Sequence, residues 1–123
     1  MKIEVSHGEL LDKLSILKIK SENLTNKIQL ANVLKEFDLL LMVAKDLLEQ
    51  CKEQYIQLIE VNGKLWKIED HIRNLERRKD FGQDFIETAR QVYHFNDERA
   101  SIKRDINRIS GSDLTEEKSY QSY

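Results

Sequence analysis

Apolar residues return every three or four positions through most of this chain, the spacing of amphipathic helices. Leu10, Leu14, Leu17 and Leu24 form the first stripe, widened by Leu11 and Ile16, with Lys13, Lys18 and Lys20 outside it or at its rim. Ser6 followed by Glu9 reads as a capping box, in which the hydroxyl accepts from a free amide and the carboxylate reaches back. The first helix is therefore predicted from His7 or Gly8 to about Asn23. Thr25 and Asn26 are good N-caps, so a second helix starts near Asn26 and carries Leu30, Leu34, Phe37, Leu41, Ala44 and Leu48. The same alternation continues through Cys51, Tyr55, Leu58, Asn62, Leu65, Glu69, Ile72 and Glu76.

Taken literally, that pattern is one helix from about Asn26 to Lys79, roughly 80 Å long at 1.5 Å per residue. Such a rod needs a second chain to cover it. The alternative is a tight break near Glu49 to Glu53, giving two antiparallel helices. Neither glycine nor proline marks that break, but it buries the Leu39, Leu40 and Leu47 flank within one chain, and it is the reading preferred here. Asp80 to Gln83 is a firmer turn, with Gly82 expected to supply backbone freedom and Arg77, Arg78 and Lys79 suiting the negative end of the preceding helix. The last helix begins near Gln83, uses Phe85, Ala89, Val92, Asn96, Ala100, Ile106 and Ile109, and ends at Gly111. Before the first helix, Ile3 and Val5 alternate with Lys2 and Glu4 as in a strand or an extended arm over residues 1–6. Residues 112–123 form a polar tail, expected to pack on the bundle with Tyr120 and Tyr123 beside the arm. The expected fold is a single all-α domain over residues 1–123, an antiparallel bundle of about four helices with a short extended N-terminal arm.

Composition agrees with this: there is no proline, glycine occurs four times, and 34% of the residues are charged. The formal charge of -2, with both signs mixed along the chain, argues against nucleic acid as partner, including through Arg77, Arg78, Lys79, Arg104 and Arg108. The single cysteine, Cys51, excludes an internal disulfide and reads as a packed thiol in a reducing compartment. The apolar run from Leu39 to Ala44 is too short to span a bilayer, and Met1 to Val5 is no secretion signal. A cytoplasmic location without membrane attachment is expected.

The candidate chemistry lies where polar side chains interrupt the seam. Asn62, Glu69 and Glu76 occupy heptad positions, and the facing helix carries Arg90, Tyr93, Asn96, Asp97, Arg99 and Lys103. Antiparallel pairing across the Phe81 turn places Glu69 near Arg90 and Tyr93, Trp66 near Asn96, and Asn62 near Arg99 and Lys103. Burying such groups costs several kcal/mol each unless they are paired, so a connected network between the third and fourth helices is predicted. Arginine forks match carboxylate or phosphate ligands, and Trp66 is placed to stack or to anchor the core. A register-setting salt-bridge network is the commoner role for such groups. Asp70, Arg73 and Arg77 make helical-spaced ion pairs on a solvated face, with Arg73 at the margin of the network. His7, His71 and His94 are scattered, no Glu-x-x-His pair occurs, and no metal or cofactor is expected. His94, Asp97 and Glu98 share a face but make a weak metal set. Gly63, inside a helix, either admits close helix approach or costs stability.

Four segments carry a resemblance: Leu11-Asp12-Lys13-Leu14-Ser15-Ile16-Leu17, Leu65-Trp66-Lys67-Ile68-Glu69-Asp70, Asn96-Asp97-Glu98-Arg99-Ala100 and Glu116-Glu117-Lys118-Ser119-Tyr120. Together they resemble a small family of uncharacterised all-helical bacterial proteins, a domain of unknown function, over nearly the whole chain. The resemblance implies a loop between the second and third helices, an ordered tail and a shared polar site, and it names no substrate.

Two functions compete. The expectation is a non-catalytic helical module that binds an unknown protein partner or assembles as a homodimer. The alternative is a small all-helical enzyme or ligand-binding protein acting on an anionic small molecule by electrostatic stabilisation.

Overall fold

Ser6 closes the non-helical N-terminal segment and opens α1 (His7–Asn23), its hydroxyl accepting from the Glu9 amide at 3.0 Å. The reciprocal half of the capping box is absent. The Glu9 carboxylate instead meets the Lys103 ammonium at 2.7 Å, and a charged donor outcompetes a backbone amide. Asn26 starts α2 (Lys27–Gln50) by accepting from Ile28 and Gln29 amides at 3.0 Å each. The computed structural model describes residues 1–123, and beyond α1 and α2 it contains α3 (Lys52–Arg77) and α4 (Gln83–Ser110). There is no strand: Met1 to Val5 carry no regular secondary structure and are exposed. The four helices form an all-α bundle.

The long heptad pattern is interrupted at one residue. Cys51 adopts φ -122°, ψ 37°, outside the helical range, and separates α2 from α3. Backbone bonds across the join run from the Cys51 amide to Leu47 (2.9 Å) and from the Tyr55 amide to Cys51 (3.0 Å). No glycine is needed, because φ stays negative. Past this corner α2 and α3 diverge, and α1 packs along both, as well as along α4, while α2 meets α3 and α4 only sparsely. Leu11 and Leu14 of α1 fill the corner against Ala44, Cys51, Leu58 and Val61, joined by Ile102 and Ile106 of α4. Each fully buried aliphatic side chain there contributes roughly 1.5–3 kcal/mol.

The expected burial of the Leu39, Leu40 and Leu47 flank holds for Leu40 and Leu47, which are half-buried against the core, and not for Leu39. Leu39, Met42 and Val43 are 63%, 81% and 69% exposed, and Leu34 and Leu41 are exposed as well. The reason is that α2 has essentially one neighbour. α1 takes the face bearing Phe37, Leu40, Ala44, Leu47 and Leu48, and no helix lies over the other side.

α3 and α4 pair through His71 with Asp84 (2.9 Å) and Lys64 over the Phe95 ring (5.2 Å), so residue numbers rise along one as they fall along the other. In the turn between them the left-handed residue is Lys79 (φ 55°), not Gly82, whose φ of -78° any residue adopts. The Asp80 amide reaches back to Leu75 at 2.9 Å and the Lys79 amide to Glu76 at 3.0 Å, a Schellman-like ending that requires positive φ at Lys79. Gly111 does supply a left-handed cap to α4 (φ 66°, ψ 44°). No helix is long and apolar enough to cross a membrane.

Candidate functional site

Gly8, Asp12, Ser15 and Ile19 follow one another at four, three and four residues, which sets them on one face of α1. That face lies against α3 and α4, and three polar rungs cross it. At the deepest rung Asp12, 1% exposed, receives the Arg99 guanidinium as a fork: Nε donates to Oδ1 at 2.9 Å and Nη2 to Oδ2. Asn62 of α3 donates to the same Oδ1 at 2.9 Å and to the Ser15 hydroxyl at 2.8 Å, and the Ser15 hydroxyl in turn donates a hydrogen bond to the Asp12 backbone carbonyl at 2.6 Å. Hydrogen bonding to Asp12 raises the Arg99 guanidinium above its ordinary range, against the opposing effect of burial. The middle rung is the Glu9–Lys103 pair.

The outer rung ties both chain ends to α4. Asn107 accepts the Gly8 amide at 2.7 Å and donates to Glu116 at 2.8 Å, and Glu116 also accepts from the Ser6 hydroxyl. Gly8 is required by proximity: a Cβ there would lie 2.6 Å from the Lys103 carbonyl oxygen. Burial pushes the Glu116 carboxyl up, but hydrogen bonds from Ser6, its own amide and Asn107, with Lys103 nearby, outweigh burial and hold it below the usual range. Ser112 accepts the His7 amide at 3.1 Å. Further along the tail, the Tyr123 hydroxyl donates to Asp97 at 2.6 Å, and its ring sits 5.1 Å from Tyr93 and 4.9 Å from His94. Tyr120 stays exposed.

Of the residues singled out by sequence, Asn62, Arg99 and Lys103 enter these rungs. Asn62, Trp66, Glu69, Arg73, Asn96 and Arg99 line an open groove of about 460 Å³ with Ile16, Ile19, Leu65 and Asp70. The pairing of Glu69 with Arg90 is not formed. Glu69 bonds Arg73 one turn away at 3.2 Å, and Arg90 lies 3.6 Å from Glu87, each within its own exposed helix face. Tyr93 and Asp97 belong to the surface that receives Tyr123, and Glu76 is exposed. The network therefore centres on α1, and Asp12, Ser15, Glu9, Asn107 and Glu116 are the members that sequence reasoning missed. The four-three-four run beginning at Gly8 was the signal available for Asp12 and Ser15.

Beside the rungs, Arg99, Lys103, Arg104 and Lys118 surround a smaller cleft of about 90 Å³ with Asn96, Ala100 and Glu116. Arg104 and Lys118 make no ion pair. No group of three or more His, Cys, Asp or Glu side chains converges as a metal site would need. A family model described as "Family of unknown function (DUF6165)" matches residues 1–123. No curated protein and no solved structure matches the chain.

Proposed function

We propose, on the premise that the chain belongs to this family and that the family's description carries no activity, that it is a non-catalytic helical binding and assembly module. Its polar network sets the helix register and leaves recognition to the surfaces around it. The observation that carries this reading is that the network closes on itself. Asp12 takes the Nε and Nη2 donors of Arg99, Asn62 gives its amide hydrogens to Asp12 and Ser15, and no buried side-chain nitrogen or oxygen lacks a partner. Arg99 turns the Nε and Nη2 fork, the geometry suited to a carboxylate or phosphate ligand, onto a buried carboxylate of its own chain. What remains for a partner is the groove beside Trp66 and the uncovered side of α2.

A second reading, a site for a small anion, is favoured by the cleft at Arg104 and Lys118, two cations free of ion pairs next to Lys103. Thermal melts of Asn62→Ala and Arg99→Ala, combined with emission from Trp66, separate the two. Trp66 is the single tryptophan and lines the groove next to that cleft. Under the module reading both variants melt lower than the parent, and neither inorganic phosphate nor small dicarboxylates shift the parent's emission or melting temperature. A saturable response abolished by Arg104→Ala, with the Arg99→Ala melt unchanged, would transfer the function to the anion site.

A further inference from the structure

The side of α2 that α1 leaves bare is organised as a strip. Ile28, Lys35, Leu39, Met42 and Asp46 follow the heptad spacing along it, with Val43 at its margin. Met42 and Val43 are among the most exposed large apolar residues of the helices, at 81% and 69%. An apolar centre of this kind on a helix marks an interaction surface. Its charges say what covers it.

Lys35 lies N-terminal to the apolar centre and Asp46 C-terminal to it, with Asp38 and Lys45 on one flank. All four are exposed, and none makes an ion pair within the chain. A two-fold axis between Leu40 and Leu41 sets one α2 antiparallel to another. Leu39 then packs on Met42 of the second chain and Met42 on its Leu39, with Val43 alongside, while Lys35 faces the second chain's Asp46 and Asp38 faces its Lys45. A two-fold contact uses the same patch twice, so a patch must be self-complementary to make one. This patch is. Parallel packing sets Lys35 against Lys35 and Asp46 against Asp46, so the charges also select the orientation.

We infer that the bare side of α2 binds a second copy of this chain in an antiparallel helix pair centred on Leu39 and Met42. The inference rests on the assembly reading above and names the partner. With the axis there, residues 31–50 of α2 (Lys27–Gln50) overlap their counterparts over about 30 Å at helical rise, and the joined pair extends the bundle to two molecules related by that axis.

Sedimentation equilibrium of the full chain over a wide concentration range tests it. The parent is expected to dimerise reversibly and Met42→Lys to remain monomeric, with an unchanged circular dichroism spectrum because Met42 has no role in the monomer core. Lys35→Glu should weaken the dimer by about tenfold or more through two like-charge contacts, and adding Asp46→Lys should restore it. A parent that stays monomeric throughout, a dimer indifferent to Met42→Lys, or a charge reversal that the second reversal fails to rescue overturns the proposal. None of these results alters the melts of Asn62→Ala and Arg99→Ala, so the module reading stands or falls separately.

Discussion

A carboxylate as deep as Asp12 persists because three donors converge on it from two other helices. Removing it strands the Arg99 guanidinium against α1. Asp12→Ala is expected to lower unfolding free energy by about 3–5 kcal/mol in urea titrations, whereas Asp12→Leu combined with Arg99→Met recovers most of the loss. Two glycines divide at the same scale. Gly8→Ala forces a methyl group against the Lys103 carbonyl and loosens the Gly8–Asn107 bond, so the melting temperature should fall by an amount corresponding to roughly 1–3 kcal/mol. Gly63→Ala meets nothing within 4 Å and should stabilise α3 by about 0.5–1 kcal/mol, which answers the question its helical position raises. Asn62 and Arg99 were legible because an amide and a guanidinium on an apolar seam demand partners. Their shared acceptor was not, since it stands 50 and 87 residues away, and periodicity reports the face a residue occupies without saying which helix meets it.

Among the elements, the corner at Cys51 and the C-terminal tail depend on contacts rather than on their own backbone. Cys51 is fully buried, and burial pushes its thiol up, so a thiol reagent at neutral pH should label it only as fast as the corner opens. Leu14→Ala, which hollows the packing behind it at a cost of about 2–5 kcal/mol, should accelerate that labelling many-fold. The tail is a pH-dependent attachment. Because the folded Glu116 pKa lies below the usual 4.5, its contribution is present above that value and is lost as pH falls through the lower, folded one. Protection of the amides over residues 112–123, measured against the intrinsic exchange rate at each pH, should therefore fall on acidification, and Glu116→Gln should flatten that dependence. Helix ends marked by Ser6, Asn26 and Gly111 could be read in advance, since capping is local chemistry. The left-handed turn position could not: it falls on Lys79, where the closing bonds of α3 outweigh the cost of positive φ.

For the molecule as a whole, mass action supplies a measurement independent of sedimentation. If a second copy binds only the folded chain, the parent's melting temperature rises with protein concentration, and that of Met42→Lys does not. The expectation that one chain buries the flank of α2 failed at Leu39, though not at Leu40 and Leu47, for a reason of scale. Three helices gather around α1, which is 17 residues long, and α2 has no second helix over its other side. The order and ends of the helices, their amphipathic stripes and the presence of polar groups in the seam were written in the amino-acid order, because turn chemistry and helical period act over a few residues. Which stripe meets which, that Asp12 is the hub of the network, that the heptad pattern bends at Cys51 and that half of α2 stays bare were decided in three dimensions. Those outcomes depend on how four apolar stripes share a core too small to cover them all.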